Sequence, residues 1–213
     1  MLTQLADPTL APEVFVLRDI ICSWRFYDRF RTDELAPARQ TQIGTRTPVL
    51  DHDGRDLAAA LQTIIEIGDV GTLASAIEDA FPGAEMWIKF DQGQFQVAFK
   101  QYGLLRPLSS AELSDGTLRY LLWVAALLTP RPPPLMVLNE PETSLHPDLV
   151  PALARLIQKV SQSSQVWVVT HATALSQQLA EIDHSQLVCL EKVLGETQVQ
   201  GQDPLDKLAW NWP

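Results

Sequence analysis

The sequence predicts an α/β protein built on a parallel sheet, with a helical N-terminal part and a small β-hairpin. Three observations predict it. The unbroken apolar runs Leu135-Met136-Val137-Leu138 and Val166-Trp167-Val168-Val169 have the pattern of strands buried on both faces. Helical repeats alternate with these runs, as strand–crossover–strand units require. Ahead of them, two period-two stretches flank Gln92-Gly93, the mark of a hairpin.

The elements follow in order. From residue 13 to 31, Leu17, Ile20, Ile21, Trp24 and Tyr27 recur at helical spacing, and Pro12 suits a helix start. Residues 32–54 are polar, with Pro37, Gly44, Pro48 and Asp53-Gly54, and read as a long irregular connection. Leu57, Leu61, Ile64 and Ile65 mark a second helix stopped by Gly68. Leu73, Ile77 and Phe81 mark a third, stopped by Pro82-Gly83. Met86, Ile88 and Phe90, then Phe95, Val97 and Phe99, supply the hairpin. Residues 115–129 form a strongly apolar helix broken by Pro130 to Pro134. Helices at 149–160 and 172–182 follow their respective strands, and Leu187 to Leu190 is read as a third apolar strand.

Composition narrows the function classes. The chain has 213 residues, 46% hydrophobic and 20% charged, which suits a folded domain. Its 16 Lys+Arg against 26 Asp+Glu give a net charge of −10, which argues against a broad nucleic-acid-wrapping surface. Cys22 and Cys189 stand far apart and suggest no disulfide scaffold, so a cytoplasmic setting is expected. No apolar segment has membrane-spanning length, and the first residues lack the basic start of a signal peptide.

Ligands of open parallel sheets bind beyond the carboxyl ends of the strands. Asn139-Glu140-Pro141-Glu142 and Thr170-His171 lie at two such ends. Leu113-Ser114-Asp115-Gly116-Thr117 opens the apolar helix, where free N–H groups and the helix dipole favour an anion. Each has a plainer reading. Ser114 and Asp115 serve as a helix cap, His146-Pro147 as a helix start, and His171 as a strand-end histidine. Glu142 is expected to face solvent. Glu140, Glu142, His146 and His171 fit no zinc spacing.

Taken in order, residues 112–171 resemble the C-terminal half of an ABC-type ATPase head, in the RecF/SMC/OLD-like branch often labelled AAA family ATPase. Leu113 to Arg119 is similar to the signature motif, with Asp115 where transporters usually have Gly. Leu135 to Glu142 resembles Walker B, Thr143-Ser144-Leu145-His146-Pro147 the D-loop, and His171 the switch histidine. More weakly, residues 44–61 resemble the middle of these proteins. The resemblance implies a sheet of the P-loop NTPase type. Residues 1–84 would be a helical and loop region of the head, and 85–213 the half carrying the four motifs.

The resemblance also implies chemistry. Glu140 would polarise the water attacking the γ-phosphate of ATP, and His171 would contact that phosphate. Asn139 takes the place of the Asp that holds Mg²⁺ through water. Ser114, Gly116 and Thr117 would complete a nucleotide site on an opposed protomer, so a homodimer or partner chain through the ATPase face is implied. Nucleic-acid contact follows from family analogy alone. The departure is equally specific, because no Gly-Lys dipeptide occurs and the lysine-bearing Walker A loop is therefore missing. The resemblance then implies a chain that begins partway through the head, lacks a central strand and exposes apolar surface. Such a chain is expected to be inactive or incomplete alone. The alternative is a non-catalytic scaffold paired with a complete ATPase. Asp51-His52-Asp53 resembles the paired aspartates of a Toprim nuclease module, but the following Gly54 reads as a turn.

Overall fold

The computed structural model describes residues 12–201. Helix α1, Pro12–Ser23, ends sooner than its spacing suggests, and Arg25–Tyr27 is strand β1. The helical repeat does not run on through Tyr27, because residues 25–27 pair in parallel with residues 136–138. Tyr27 and Phe30 are buried in the core, while Phe26, just before Tyr27, is exposed. The Tyr27 hydroxyl donates to the Leu50 carbonyl at 3.0 Å, and burial raises its pKa. Val16, Leu17 and Ile20 of α1 remain exposed, so its apolar stripe packs on no described core.

Residues 32–54 contain a 3₁₀ turn, Pro37–Arg39, and strand β2, Gln42–Ile43. The expected long irregular connection thus carries two short elements. Side-chain bonding ties this segment down. Arg39 donates to carbonyls of Thr32, Asp33, Ser110, Ala111 and Leu113, and to Asp115 Oδ1. At its end Gly54 takes φ +71°, and a Cβ there would lie 2.3 Å from the Leu122 side chain. Gly54→Ala should therefore cost about 2–5 kcal/mol, the sum of left-handed strain and overpacking. A urea unfolding curve would show the loss as a lower midpoint.

Helices α2, Leu57–Ile67, and α3, Val70–Ala80, follow as expected. Strands β3, Glu85–Asp91, and β4, Gln94–Lys100, pair antiparallel, with β2 and the short β5, Leu108–Ser109, both joined to β4. A capping box at Ser109 and Glu112 leads toward the next helix. The Arg106 guanidinium beside Glu112 holds that carboxyl at about 2. Its contribution is thus present above the usual carboxylate range and lost as pH falls toward 2.

Helix α4, Asp115–Leu127, is buried on nearly every side and forms the centre of the core. Its Trp123 meets Phe30 and Tyr27 edge-on, with ring centroids 4.8 and 6.2 Å apart. Leu61, Ile64, Leu121, Leu153 and Ile157 belong to the same cluster, so the core draws on both sides of residue 84.

Strands β6, Leu135–Asn139, and β7, Gln165–Val169, pair in parallel, with β1 on the other side of β6. Helix α5, Val150–Ser161, crosses between β6 and β7, and helix α6, Thr173–Ala180, follows β7. The sheet order is β1-β6-β7. Only β6 behaves as a buried central strand. The expectation that β7 is buried on both faces fails, because β7 is an edge and Trp167 is 58% exposed. Nor does the 187–190 run enter this sheet. Strand β8, Leu190–Val193, instead forms an exposed hairpin with β9, Glu196–Val199. Its Leu194-Gly195 turn, with both residues at positive φ, supplies the local alternative to a long-range pairing.

Candidate functional site

The carboxyl ends of β6 and β7 lie side by side, with Asn139 in register with Val169. Glu140 follows β6, and its N–H donates to the Val169 carbonyl at 2.8 Å. That bond turns the chain sharply, and Glu140 takes φ +45°, rare for a residue with a long side chain. Thr143 N–H closes the turn on the Glu140 carbonyl at 3.0 Å. Glu140 is thereby carried on a strained turn instead of a pliable loop.

Two candidate residues meet at this point. His171 Nε2 stands 3.4 Å from Glu140 Oε1, and the imidazole is 86% exposed. The second carboxylate oxygen, Oε2, accepts from Thr143 Oγ1 at 3.2 Å. Asn139 points to a different neighbour. Its Nδ2 donates to Asp28 Oδ1 at 2.6 Å, linking the ends of β6 and β1.

Glu142 departs from expectation. It does not simply face solvent: Oε1 accepts from Thr170 Oγ1 at 2.5 Å and from the Ala172 N–H at 3.2 Å, and Oε2 is buried. The bonds bracket His171, so Glu142 fixes the segment that carries the imidazole. Sequence reasoning missed this because the partners are 28 and 30 residues away. Glu142→Ala removes charge-assisted bonds of about 1.5–3 kcal/mol. The Ala172 amide should then exchange with deuterium about 10- to 100-fold faster through local opening.

The Ser114 cluster opens α4. Ser114 caps α4, accepting from the Thr117 N–H at 3.2 Å, and the two hydroxyls lie 2.9 Å apart. A Cβ on Gly116 would meet the Ser144 carbonyl at 3.3 Å, so this glycine lets α4 approach the 143–147 segment closely. One turn on, Arg119 donates to the Thr143 carbonyl at 2.9 Å. Among the described residues no hydrogen bond joins Ser114, Gly116 or Thr117 to Glu140 or His171. His146 caps the 3₁₀ turn Pro147–Leu149, its Nδ1 accepting from the Asp148 N–H at 3.4 Å. Asp51 and Asp53 are both paired with Arg55 around a turn closed by Gly54 N–H on the Asp51 carbonyl. Among the described residues, no cluster of three or more His, Cys, Asp or Glu could hold a metal. No helix there is long and apolar enough to cross a membrane.

The family model AAA_21, described as "AAA domain, putative AbiEii toxin, Type IV TA system", matches residues 9–176. No curated protein sequence matches the chain. Among solved structures, an SMC ATPase studied for ATP-driven dimerization and DNA-stimulated activation gives a TM-score of 0.52 at 17% identity. That match covers 65% of this chain and 84% of the other. An SMC head bound to the C-terminal winged-helix domain of ScpA gives 0.53 at 18%, covering 65% of this chain and 43% of the other. The Smc head with coiled coil and joint from Pyrococcus yayanosii gives 0.52 at 18%, covering 65% and 27%. The chain thus spans less than half of the latter two. At these identities the likeness is one of fold, namely the α/β P-loop type of the SMC head. The family match covers most of the sequence, and the chain belongs to the AAA_21 family of ABC-type ATPase domains.

Proposed function

We propose that this chain supplies the hydrolytic half of an ATP site whose phosphate cradle lies outside these 213 residues. The observation that carries the reading is the Glu140–His171 pair, held 3.4 Å apart beyond the ends of adjacent parallel strands. Backbone strain at Glu140 costs about 1–3 kcal/mol and persists where the surrounding structure imposes it, commonly at active sites. In this reading Glu140 accepts a hydrogen bond from the attacking water, and the exposed His171 swings from Glu140 to the γ-phosphate when nucleotide enters.

The donor set also suits a hydrated Mg²⁺. Asn139 gives its amide nitrogen to Asp28, its oxygen has no hydrogen bond among the described residues, and the Asp28 carboxylate brings the charge that an amide lacks. Bound with ATP, Mg²⁺ neutralises charge on the β- and γ-phosphates. Ser114, Gly116 and Thr117 make no hydrogen bond to Glu140 among the described residues, as suits residues serving an opposed protomer's nucleotide. Residues 1–84 and 85–213 act as parts of one head, and the partner is a second copy or a complete ATPase chain. The open edge of β7, with Trp167 exposed, favours such pairing whether or not hydrolysis follows.

The test is to mix or co-express the chain with one carrying Gly-x-x-x-x-Gly-Lys-Ser/Thr from its genomic neighbourhood, and to measure ATP turnover. Turnover should appear in the mixture and not in this chain alone. A complex that assembles but shows no turnover would instead support the scaffold alternative.

A further inference from the structure

Parallel sheets occur almost only where helices cover both of their faces. The β1-β6-β7 sheet is well covered on one. Tyr27, Met136 and Leu138 point to that side, at no more than 1% exposure, and join residues of α4 and α5 in the core. The opposite face carries Phe26, Val137 and Trp167 in a single row, because Phe26 and Trp167 both stand in register with Val137. Phe26 and Trp167 are each 58% exposed, and Val169, on the same face of β7, is 52% exposed. Neither β6 nor β7 carries a charged side chain.

Helix α1 has the converse defect. Val16, Leu17 and Ile20 share one face of it, are all exposed, and no residue of the helix is buried. It is a helix without a sheet, in a chain that has a sheet face without a helix. The lengths match. The 12 residues of α1 span about 18 Å, and the five-residue strands β6 and β7 about 17 Å. Only Trp24 separates α1 from β1, fewer than the roughly 2–6 residues that usually turn a helix back along its strand. The helix is therefore poorly linked to cover its own sheet, and nothing in its link hinders it from covering another copy's.

We propose that the bare sheet face of one copy receives α1 of a second copy, reciprocally about a twofold axis. Val16, Leu17 and Ile20 of each copy then pack on Phe26, Trp167 and Val169 of the other. Six side chains this exposed offer on the order of 600 Å² per copy, or about 1,200 Å² in all, which reaches the lower bound for a specific, stable interface. A contiguous apolar surface of that size commonly marks an interaction site. The hydrogen-bonding edge of β7 is left free for a further chain. Dimer formation is read without nucleotide, so its failure would leave the ATP assay with its meaning.

Sedimentation equilibrium of the full chain tests this, and a monomer–dimer equilibrium is the expected result. Leu17→Glu and Trp167→Glu should each weaken the dimer at least tenfold, because the apolar contact would have to desolvate a charge. Both positions are exposed, so neither change disturbs the core. Cross-linking then identifies the faces in contact. Cys22 and Cys189, both exposed, are first replaced by serine. Chains carrying Val16→Cys, Leu17→Cys or Ile20→Cys are mixed with chains carrying Trp167→Cys or Val169→Cys and mildly oxidised. Disulfides should join a helix position of one copy to a strand position of the other. A monomer at every concentration would mean that another occupant covers the face, and would overturn the inference. So would a dimer unchanged in Leu17→Glu or Trp167→Glu, or cross-links that join helix to helix or strand to strand only.

Discussion

Arg39→Met is expected to destabilise the fold by on the order of 3–5 kcal/mol, the loss typical of deleting a buried hydrogen-bonded charge. The guanidinium is 8% exposed as a side chain and bonds five backbone carbonyls besides Asp115. Two of those carbonyls, from Thr32 and Asp33, belong to its own connection. The other three lie on residues 110–113, directly before α4. Arg39 is therefore the clasp between a segment with little secondary structure and the start of the helix at the centre of the core. Methionine keeps most of the aliphatic stem but leaves the carbonyls without their donor. Asp115 is mostly exposed and can turn to water, so the carbonyls account for most of the cost. Chemical unfolding monitored by tryptophan fluorescence would report the change. Arg39→Lys should recover only a part, because one ammonium cannot span the same set of acceptors.

Glu140→Gln is expected to lower ATP turnover of the assembled site by about 10²–10⁴-fold, the range for removing a positioned general base. Nucleotide affinity should stay within a few-fold, since the amide keeps the shape of the side chain. Folding should be nearly unaffected, because Thr143 Oγ1 can still donate to the amide oxygen. His171→Ala should also cut turnover while sparing stability, because the imidazole is largely exposed. Steady-state hydrolysis and a thermal melt on the same samples separate these effects. A parallel fall in both would instead assign Glu140 a structural role.

Much of this arrangement is legible in the sequence, and the reasons differ from place to place. The β6 strand, its Asn139-Glu140 end and the α4 cap are local signals, because an apolar run, a following polar cluster and a Ser N-cap each need only neighbours. The hairpin of β3 and β4 is local in the same way. Strand β1 is not, because the spacing of Ile20, Trp24 and Tyr27 continues a helical repeat and nothing local marks a strand. Pairing with β6, more than 100 residues on, makes it one. The run at 187–190 fails for the converse reason. An apolar stretch says that burial is favourable, not that a sheet neighbour exists, and the Leu194-Gly195 turn makes a hairpin available at once. Trp167 likewise reads as core by composition, yet it projects from a sheet edge.

At the site, residue identities are legible and residue partnerships are not. Glu140 and His171 stand out as polar residues at strand ends, but their 3.4 Å approach depends on parallel register. Glu142 gives no local hint of its bond to Thr170, and Asp28 none of its bond to Asn139. Arg119 reads as one residue of a helix, while in the fold it joins the Phe30 and Thr143 backbones. Buried polar side chains find acceptors wherever the chain passes, and sequence spacing does not record that path.

The central claim is that these residues carry the hydrolytic groups without the phosphate cradle. Calorimetric titration of ATP–Mg²⁺ into the isolated chain tests it most directly. The account predicts no saturation up to about 1 mM nucleotide, an interaction weaker than about 4 kcal/mol. Micromolar binding that is lost on Ser114→Ala or Glu140→Gln would contradict it, since the chain would then hold nucleotide without the lysine loop.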